Sequence, residues 1–224
     1  VEAKALLEII RTRRSIRAFR PDPVSDEALK QIIEAARWAP SSANSQPWDI
    51  VVVRDVETRK RIQDSVQRVV ARIKQLRDFP FLRTFTGSYL MEAPVQLVVC
   101  GDPRFQYVSM MSGVEDQVEL FALWGSVSMA VQNMLLAAHA LGLGSVVFTN
   151  FYPEEVKRVL EVPDPLKVIC ILPIGYPAAA RAAPPRREAD SFTHLERFNP
   201  EKMRSRELVE QAHADPYGVQ VREY

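Results

Sequence analysis

Residues 11–48 read RTRRSIRAFRPDPVSDEALKQIIEAARWAPSSANSQPW, and this stretch decides how the rest of the chain is read. Its first part sets Arg11, Arg13, Arg14 and Arg17 around one serine, Ser15. Guanidinium groups give forked, charge-assisted hydrogen bonds, so such a cluster suits a phosphate and other anionic ligand atoms. The middle reads as a helix. Ser25 is placed to cap it, Asp26 and Glu27 sit where the helix dipole favours anions, and Leu29, Ile32, Ile33 and Ala36 follow at helical spacing. Pro40 ends that helix and opens a stiffened polar loop that carries Ser41, Ser42, Asn44 and Gln46 and finishes at Trp48. Together the two ends suggest a site for a flat, polar-edged, phosphorylated ligand. Each also has a plainer reading, as a solvated basic patch and as an ordinary connector.

Working outward, Ala3–Thr12 predicts a helix with an apolar face of Leu6, Leu7, Ile9 and Ile10. The β-branched run Asp49–Arg54 predicts a strand that Trp48 begins as a core residue, and Val56–Arg77 a long charged amphipathic helix. Strands follow at Val95–Cys100, Ser145–Thr149 and Lys167–Ile174, with helices at Val114–Leu141 and Pro153–Leu160. Tyr176–Pro185, rich in proline and alanine, has too few large apolar groups for a core of its own and should run as an extended arm. Pro200–Ala214 predicts a polar peripheral helix. Strands separated by helices at uneven spacing give an α+β layer structure, with no internal repeat and no clear boundary in 224 residues.

The bulk numbers narrow the function classes. Apolar residues make up 47% and charged residues 25%, the globular soluble class. A net charge of +1 gives no strong general pull on nucleic acid or membrane, so neither is an expected partner. The N-terminal VEAKALLEIIRTRRS lacks a secretory cleavage pattern. Leu120–Pro153 carries no Asp, Glu, Lys or Arg and is long enough to span a bilayer, but Gly125, Ser126, Gln132, Asn133 and His139 interrupt it. It reads better as a buried central helix that meets a protein interior or a subunit interface. Cys100 and Cys170 lie in apolar runs without ligand or redox spacing and read as reduced core thiols, which suits the cytoplasm. His139, His194 and His213 show no metal spacing, so no metal is expected, and no nucleophile elbow is present. Gly142–Ser145 (GLGS) follows a helix and opens a strand, the reverse of the dinucleotide fingerprint, and reads as a helix C-cap.

Four segments carry a family resemblance: RRSIRAF with APSSANSQPW; LAAHALGLGS with VVFTNFYPEEVKRVLEVPD; ICILPIGYPA; and PPRREADSFTHLERF. In this order, from Leu6 to about Phe198, they resemble the nitroreductase family of flavoenzymes. The resemblance implies one domain over residues 1–224, with an arm at 176–199 and a tail at 200–224. It implies a central mixed or antiparallel sheet flanked by helices, and a homodimer with a long buried helix at its interface and two shared active sites. It implies FMN as cofactor and NADH or NADPH as reductant. Carried over, Arg13, Arg14 and Ser15 hold the phosphate and ribityl chain, and Arg17 lies near the pyrimidine end of the flavin, where a cation stabilises the reduced anionic ring. Pro40, Ser41 and Ser42 meet the flavin from the partner subunit, while Asn44 and Gln46 bond flavin or loop backbone. Phe148, Thr149 and Asn150 either meet the N5 edge or simply cap a strand end. One of Arg186 and Arg187 reaches the phosphate.

The implied activity passes electrons from NAD(P)H to a flat electron-poor acceptor such as a nitroaromatic or quinone, with no side chain required as acid or base. Reductive dehalogenation and benzimidazole formation are alternatives. The deiodinating branch recognises its substrate with a Glu and a Tyr four residues later, and no tyrosine here has Glu at that position. A different class of function, a non-enzymatic protein that binds through its basic patch, would show steep salt dependence. Phe79, Phe81, Arg83 and Phe85 are expected near the substrate entrance.

Overall fold

The computed structural model describes residues 2–75, 85–106 and 120–209. The chain forms two compact units, residues 1–70 with 86–181, and residues 71–85 with 182–224.

The first unit is an α+β layer structure around a four-stranded antiparallel sheet. In chain order its elements are α1 (Ala3–Thr12), α2 (Asp26–Arg37), β1 (Trp48–Val53), α3 (Val56–Ile73, whose last residues enter the second unit), α4 (Tyr89–Glu92), β2 (Val95–Gly101), α5 (Ser126–Ala140), β3 (Gly144–Ser145), α6 (Pro153–Val159) and β4 (Lys167–Gly175). The strand order is β1-β2-β4-β3. β2 is central and every residue in it is buried, which is why VQLVVCG reads as a continuous apolar run rather than an alternating one. Its one polar side chain, Gln96, donates from Nε2 to the Leu90 carbonyl at 2.9 Å.

α2 forms where the sequence places it. The Ser25 hydroxyl accepts from the Ala28 N–H at 3.2 Å, and Leu29, Ile32 and Ala36 are buried. These side chains join a core with Val127, Ala130, Met134 and Ala138 of α5 and Leu97, Val99, Leu172 and Ile174 of the sheet. Full burial of a residue such as Ile32 contributes about 1.5–3 kcal/mol. Asn133 ties the two helices by donating to the Ala35 carbonyl at 3.0 Å. α5 ends in a Schellman turn. The Leu143 N–H reaches the Ala138 carbonyl and the Gly142 N–H that of His139, with Gly142 at φ +75°, as the C-cap reading requires. Buried Arg59 donates to the Met91 and Ala93 carbonyls and so fixes the turn between α4 and β2.

Three expected elements differ. The helix expected over Val114–Leu141 is a wide π-turn at Leu120–Gly125 followed by α5; Gly125 tolerates the change of phase, and 114–119 lie outside the described residues. The strand expected at Ser145–Thr149 pairs regularly only at Gly144–Ser145 and returns to the sheet as a single bridge from Phe148 to Ile171. The Ser145 carbonyl is taken by the Ile16 N–H of a second segment, so the edge is shared rather than extended. The helix expected over Pro200–Ala214 is a short 3₁₀ turn, Pro200–Lys202, broken at Met203; residues 206–209 are helical, started by Ser205. The rest of that span, the end of the helix expected at Val56–Arg77, and Phe79, Phe81 and Arg83 lie outside the described residues. Among the described residues no helix is long and apolar enough to cross a membrane.

α1 is strongly amphipathic, yet none of its residues is buried, and Leu6, Leu7 and Ile10 stand open. The described residues after 182, in the second unit, are tied by local bonds. Arg187 donates to the Ser191 carbonyl and hydroxyl, His194 stacks on Phe198 at 4.2 Å, and Lys202 caps the carbonyls of Asp190 and Thr193.

Candidate active site

After α1 the chain runs extended and pairs with two other segments. The Ile16 N–H bonds the Ser145 carbonyl of β3 at 3.0 Å, and Ser15 bridges Ser145 in parallel. Farther along, Arg20 N–H reaches the Tyr176 carbonyl at 2.9 Å, Ala178 N–H reaches the Ala18 carbonyl, and Phe19 bridges Pro177. The Phe19 N–H also donates to the Glu92 carboxylate at 3.3 Å. Ile16 and Phe19 are buried and anchor the segment. β3 lies so close that a Cβ at Gly144 would come within 2.8 Å of the Ile16 side chain.

A cavity of about 560 Å³ opens along this frame, and Arg13, Arg14, Arg20, His139, Tyr176 and Arg181 stand in its wall. Arg14 is braced by donation to the Arg11 and Arg13 carbonyls at 2.7 and 2.9 Å, while its buried Nε has no partner in the protein. A site with several guanidiniums and an orphan buried donor is chemically fit for a phosphate. His139 lies 2.8 Å from the Thr12 hydroxyl, and burial, then Arg13 and Arg14, push its pKa below the ordinary histidine value. Ser15 and Arg17 do not line this cavity.

The Pro40–Gln46 loop is held differently. Ala43, Asn44 and Gln46 all have positive φ (49°, 53° and 45°), and none is glycine. Local bonds enforce this shape. Gln46 N–H donates to the Ser41 hydroxyl at 3.0 Å, Asn44 N–H to the Ser41 carbonyl at 3.1 Å, and Ser42 N–H to the Ser126 hydroxyl of α5 at 3.2 Å. A second cavity of about 400 Å³ lies here, lined by Arg37, Trp38, Ala39, Pro40, Asn44 and Gln46. Trp38 is 71% exposed, yet its Nε1 donates to Glu34 at 2.8 Å and Arg37 lies over its ring at 4.7 Å. Arg37, then Trp38, hold the Glu34 carboxyl down to about 2. Ser41 and Ser42 do not line this cavity, and it shares no wall residue with the first.

Phe148, Thr149 and Asn150 do not form one surface. Phe148 is buried against Tyr89 and Phe151, and its N–H and carbonyl both pair with Ile171. Thr149 is exposed and Asn150 half-buried. In the second unit, Arg187 is bound to Ser191 and stacked on Phe192, whereas Arg186 makes one 3.4 Å contact to its neighbour's carbonyl. Among the described residues no three His, Cys, Asp or Glu side chains gather as a metal site.

Sequence reasoning missed His139, Arg20, Tyr176 and Arg181 as wall residues of the first cavity. His139 had a signal, as the one side chain in Leu120–Pro153 that titrates near neutral pH. Val147 is 42% exposed between buried Val146 and Phe148, and the period-two alternation of VVFT carried that information.

Comparison with known proteins identifies the family. Residues 10–176 match the profile described as "Nitroreductase family". A candidate NADH dehydrogenase/NAD(P)H nitroreductase of Archaeoglobus fulgidus is 33% identical over 202 residues, 88% of this chain and 95% of that protein. A 5,6-dimethylbenzimidazole synthase of Rhodospirillum rubrum is 32% identical over 88% of this chain and 89% of its own. Among solved structures, an oxidized iodotyrosine deiodinase bound to FMN and 3-iodo-L-tyrosine superposes with a TM-score of 0.70 at 28% identity, covering 87% of this chain and 99% of the other.

Proposed function

This chain belongs to the nitroreductase family, and from that premise we propose that it is an FMN-dependent oxidoreductase that carries electrons from NADH or NADPH to a flat, electron-poor acceptor such as a nitroaromatic or quinone. The observation that carries the reading is the extended Arg13–Arg20 segment, paired with β3 and with the start of the arm, whose Arg13 and Arg14 stand in the wall of a cationic cavity. Such a wall suits the flavin phosphate, with Ser15 toward the ribityl chain and Arg17 toward the pyrimidine end of the ring. In the second unit Arg186, rather than Arg187, is the guanidinium open to an anion.

Bound flavin supplies the two-electron chemistry; the chain supplies placement, charge and exclusion of water. Thr149 and Asn150, with Val147, are the residues after β3 that face outward enough to meet a ring edge. Phe148 serves instead as the core peg beneath them. The separation of the Pro40–Gln46 cavity from the arginine cavity supports a shared site, in which Pro40, Ser41, Ser42, Asn44 and Gln46 approach a partner's flavin. The uncovered apolar face of α1 supports a homodimer in the same way. α5 would lie at the dimer interface, and the two free thiols suit the cytoplasm.

A visible spectrum of the purified protein tests the reading, followed by anaerobic addition of NADH and NADPH separately. A yellow protein that bleaches with one of them is expected. A colourless protein that fails to take up added FMN would overturn it.

A further inference from the structure

The hydrogen-bond chain at the end of α1 fixes the state of His139. The Thr12 hydroxyl donates its only proton to the Glu8 carbonyl at 2.6 Å, so it can only accept from the imidazole. His139 Nε2 is therefore the donor in that 2.8 Å contact, and the neutral ring carries its lone pair on Nδ1. This ring stands in the wall of the arginine cavity.

The charges that face it are one-sided. Arg13, Arg14 and Arg20 come from the extended segment, and Arg181 and the Tyr176 phenol from the arm. On α1, the Glu8 carboxylate is engaged by Arg11 at 2.7 Å, and Asp22 is engaged by Arg20 at 3.0 Å. Among the described residues no carboxylate lines the cavity. Cations and burial both disfavour a proton on His139 while the cavity holds no anion, which agrees with the downward direction of its pKa. A phosphate dianion reverses the local field, and the same ring then gains by becoming an imidazolium.

We propose that His139 is a charge-switching member of the anion cavity, taking up a proton at Nδ1 when the phosphate of the flavin nucleotide enters. The inference rests on the flavin reading of that cavity. The site thus gains a cation only while an anion is present, and the empty protein avoids one more buried like charge. By linkage, the contribution of His139 to FMN affinity grows as pH falls through the neutral range.

Calorimetric titration of FMN into apoprotein, in buffers of different protonation enthalpy, reads the protons taken up. His139→Gln keeps an amide donor for Thr12 but cannot titrate. The unmodified protein should take up more protons than the variant, and its log affinity should gain on the variant's as pH falls by as much as one proton, tenfold per pH unit. The ionisation of the FMN phosphate is common to both proteins and cancels in the difference. Riboflavin, which lacks the phosphate, should bind the two alike. Ring ¹⁵N shifts of His139 in the unmodified protein, with and without FMN, give the same answer without a substitution. FMN binding with equal proton counts in both proteins, or a ring unchanged by FMN, overturns the inference alone. If neither flavin binds either protein, the flavin reading falls and takes the inference with it.

Discussion

The cavity beside Arg13 and the cavity beside Pro40 belong to one sheet-centred unit, yet they are shaped by opposite means. At the first, long-range pairing does the work: β3 and the start of the arm hold a segment of ordinary extended backbone. At the second, three non-glycine residues are bent into left-handed conformations by bonds that span five residues or fewer, with one tie to Ser126. The first cavity draws on the cooperativity of the core. The second stores local strain, of order 1–3 kcal/mol for each residue in a sparsely populated backbone region. Several guanidiniums gather at the first cavity, whereas Arg37 is the one charged group among the described residues that line the second.

Substitutions can break this contrast. The largest effect is expected for Arg13→Ala, which removes a charge-assisted contact to the phosphate worth about 1.5–3 kcal/mol and so weakens FMN retention by roughly 10- to 150-fold. Undiminished colour after dialysis would remove Arg13 from the site. Gly144→Ala comes next. Its new methyl would meet Ile16 at 2.8 Å, and the overpacking should cost about 1–3 kcal/mol in urea unfolding while loosening the Ser15–Ser145 pairing. An unchanged midpoint would mean that the arginine segment is not held by that close approach. The smallest effect has the opposite sign. Ala43→Gly relieves a left-handed alanine and should raise stability by roughly 0.5–1 kcal/mol, the steric cost of that conformation less the greater entropy glycine loses on folding. A loss of stability on that substitution would show that the loop is shaped by packing and not held against its own preference.

The contrast also explains what could be read from the chain. α1, α2 and α6, and the strands β1, β2 and β4, were legible because caps and apolar periodicity are local signals that the core does not override. The C-cap at Gly142 was legible for the same reason, since only a residue tolerant of positive φ ends such a helix cleanly. The true extent of β3 was not legible. It depends on the Ser145 carbonyl being claimed by a segment 130 residues earlier in the chain, and Val146–Thr149 keeps strand-like alternation after leaving the ladder. Phe148 is the converse: it is the apolar member of FTN, and the alternation of VVFT turns it inward and Thr149 outward. The arginine cluster was legible as chemistry, but its partners His139, Tyr176 and Arg181 arrive from distant elements. The left-handed Ala43 gave no warning at all, because alanine carries no preference for that conformation.

The two cysteines give the sheet a chemical clock. Burial, reinforced by Asp49, pushes the Cys100 thiol up to about 11, and burial, then Cys100, pushes Cys170 up to about 12. Both sulfurs are therefore protonated near neutral pH, and reagents that attack thiolates find no target while the strands are closed. Alkylation of either sulfur then proceeds only as fast as β2 and β4 separate, so its rate measures how often the centre of the molecule opens.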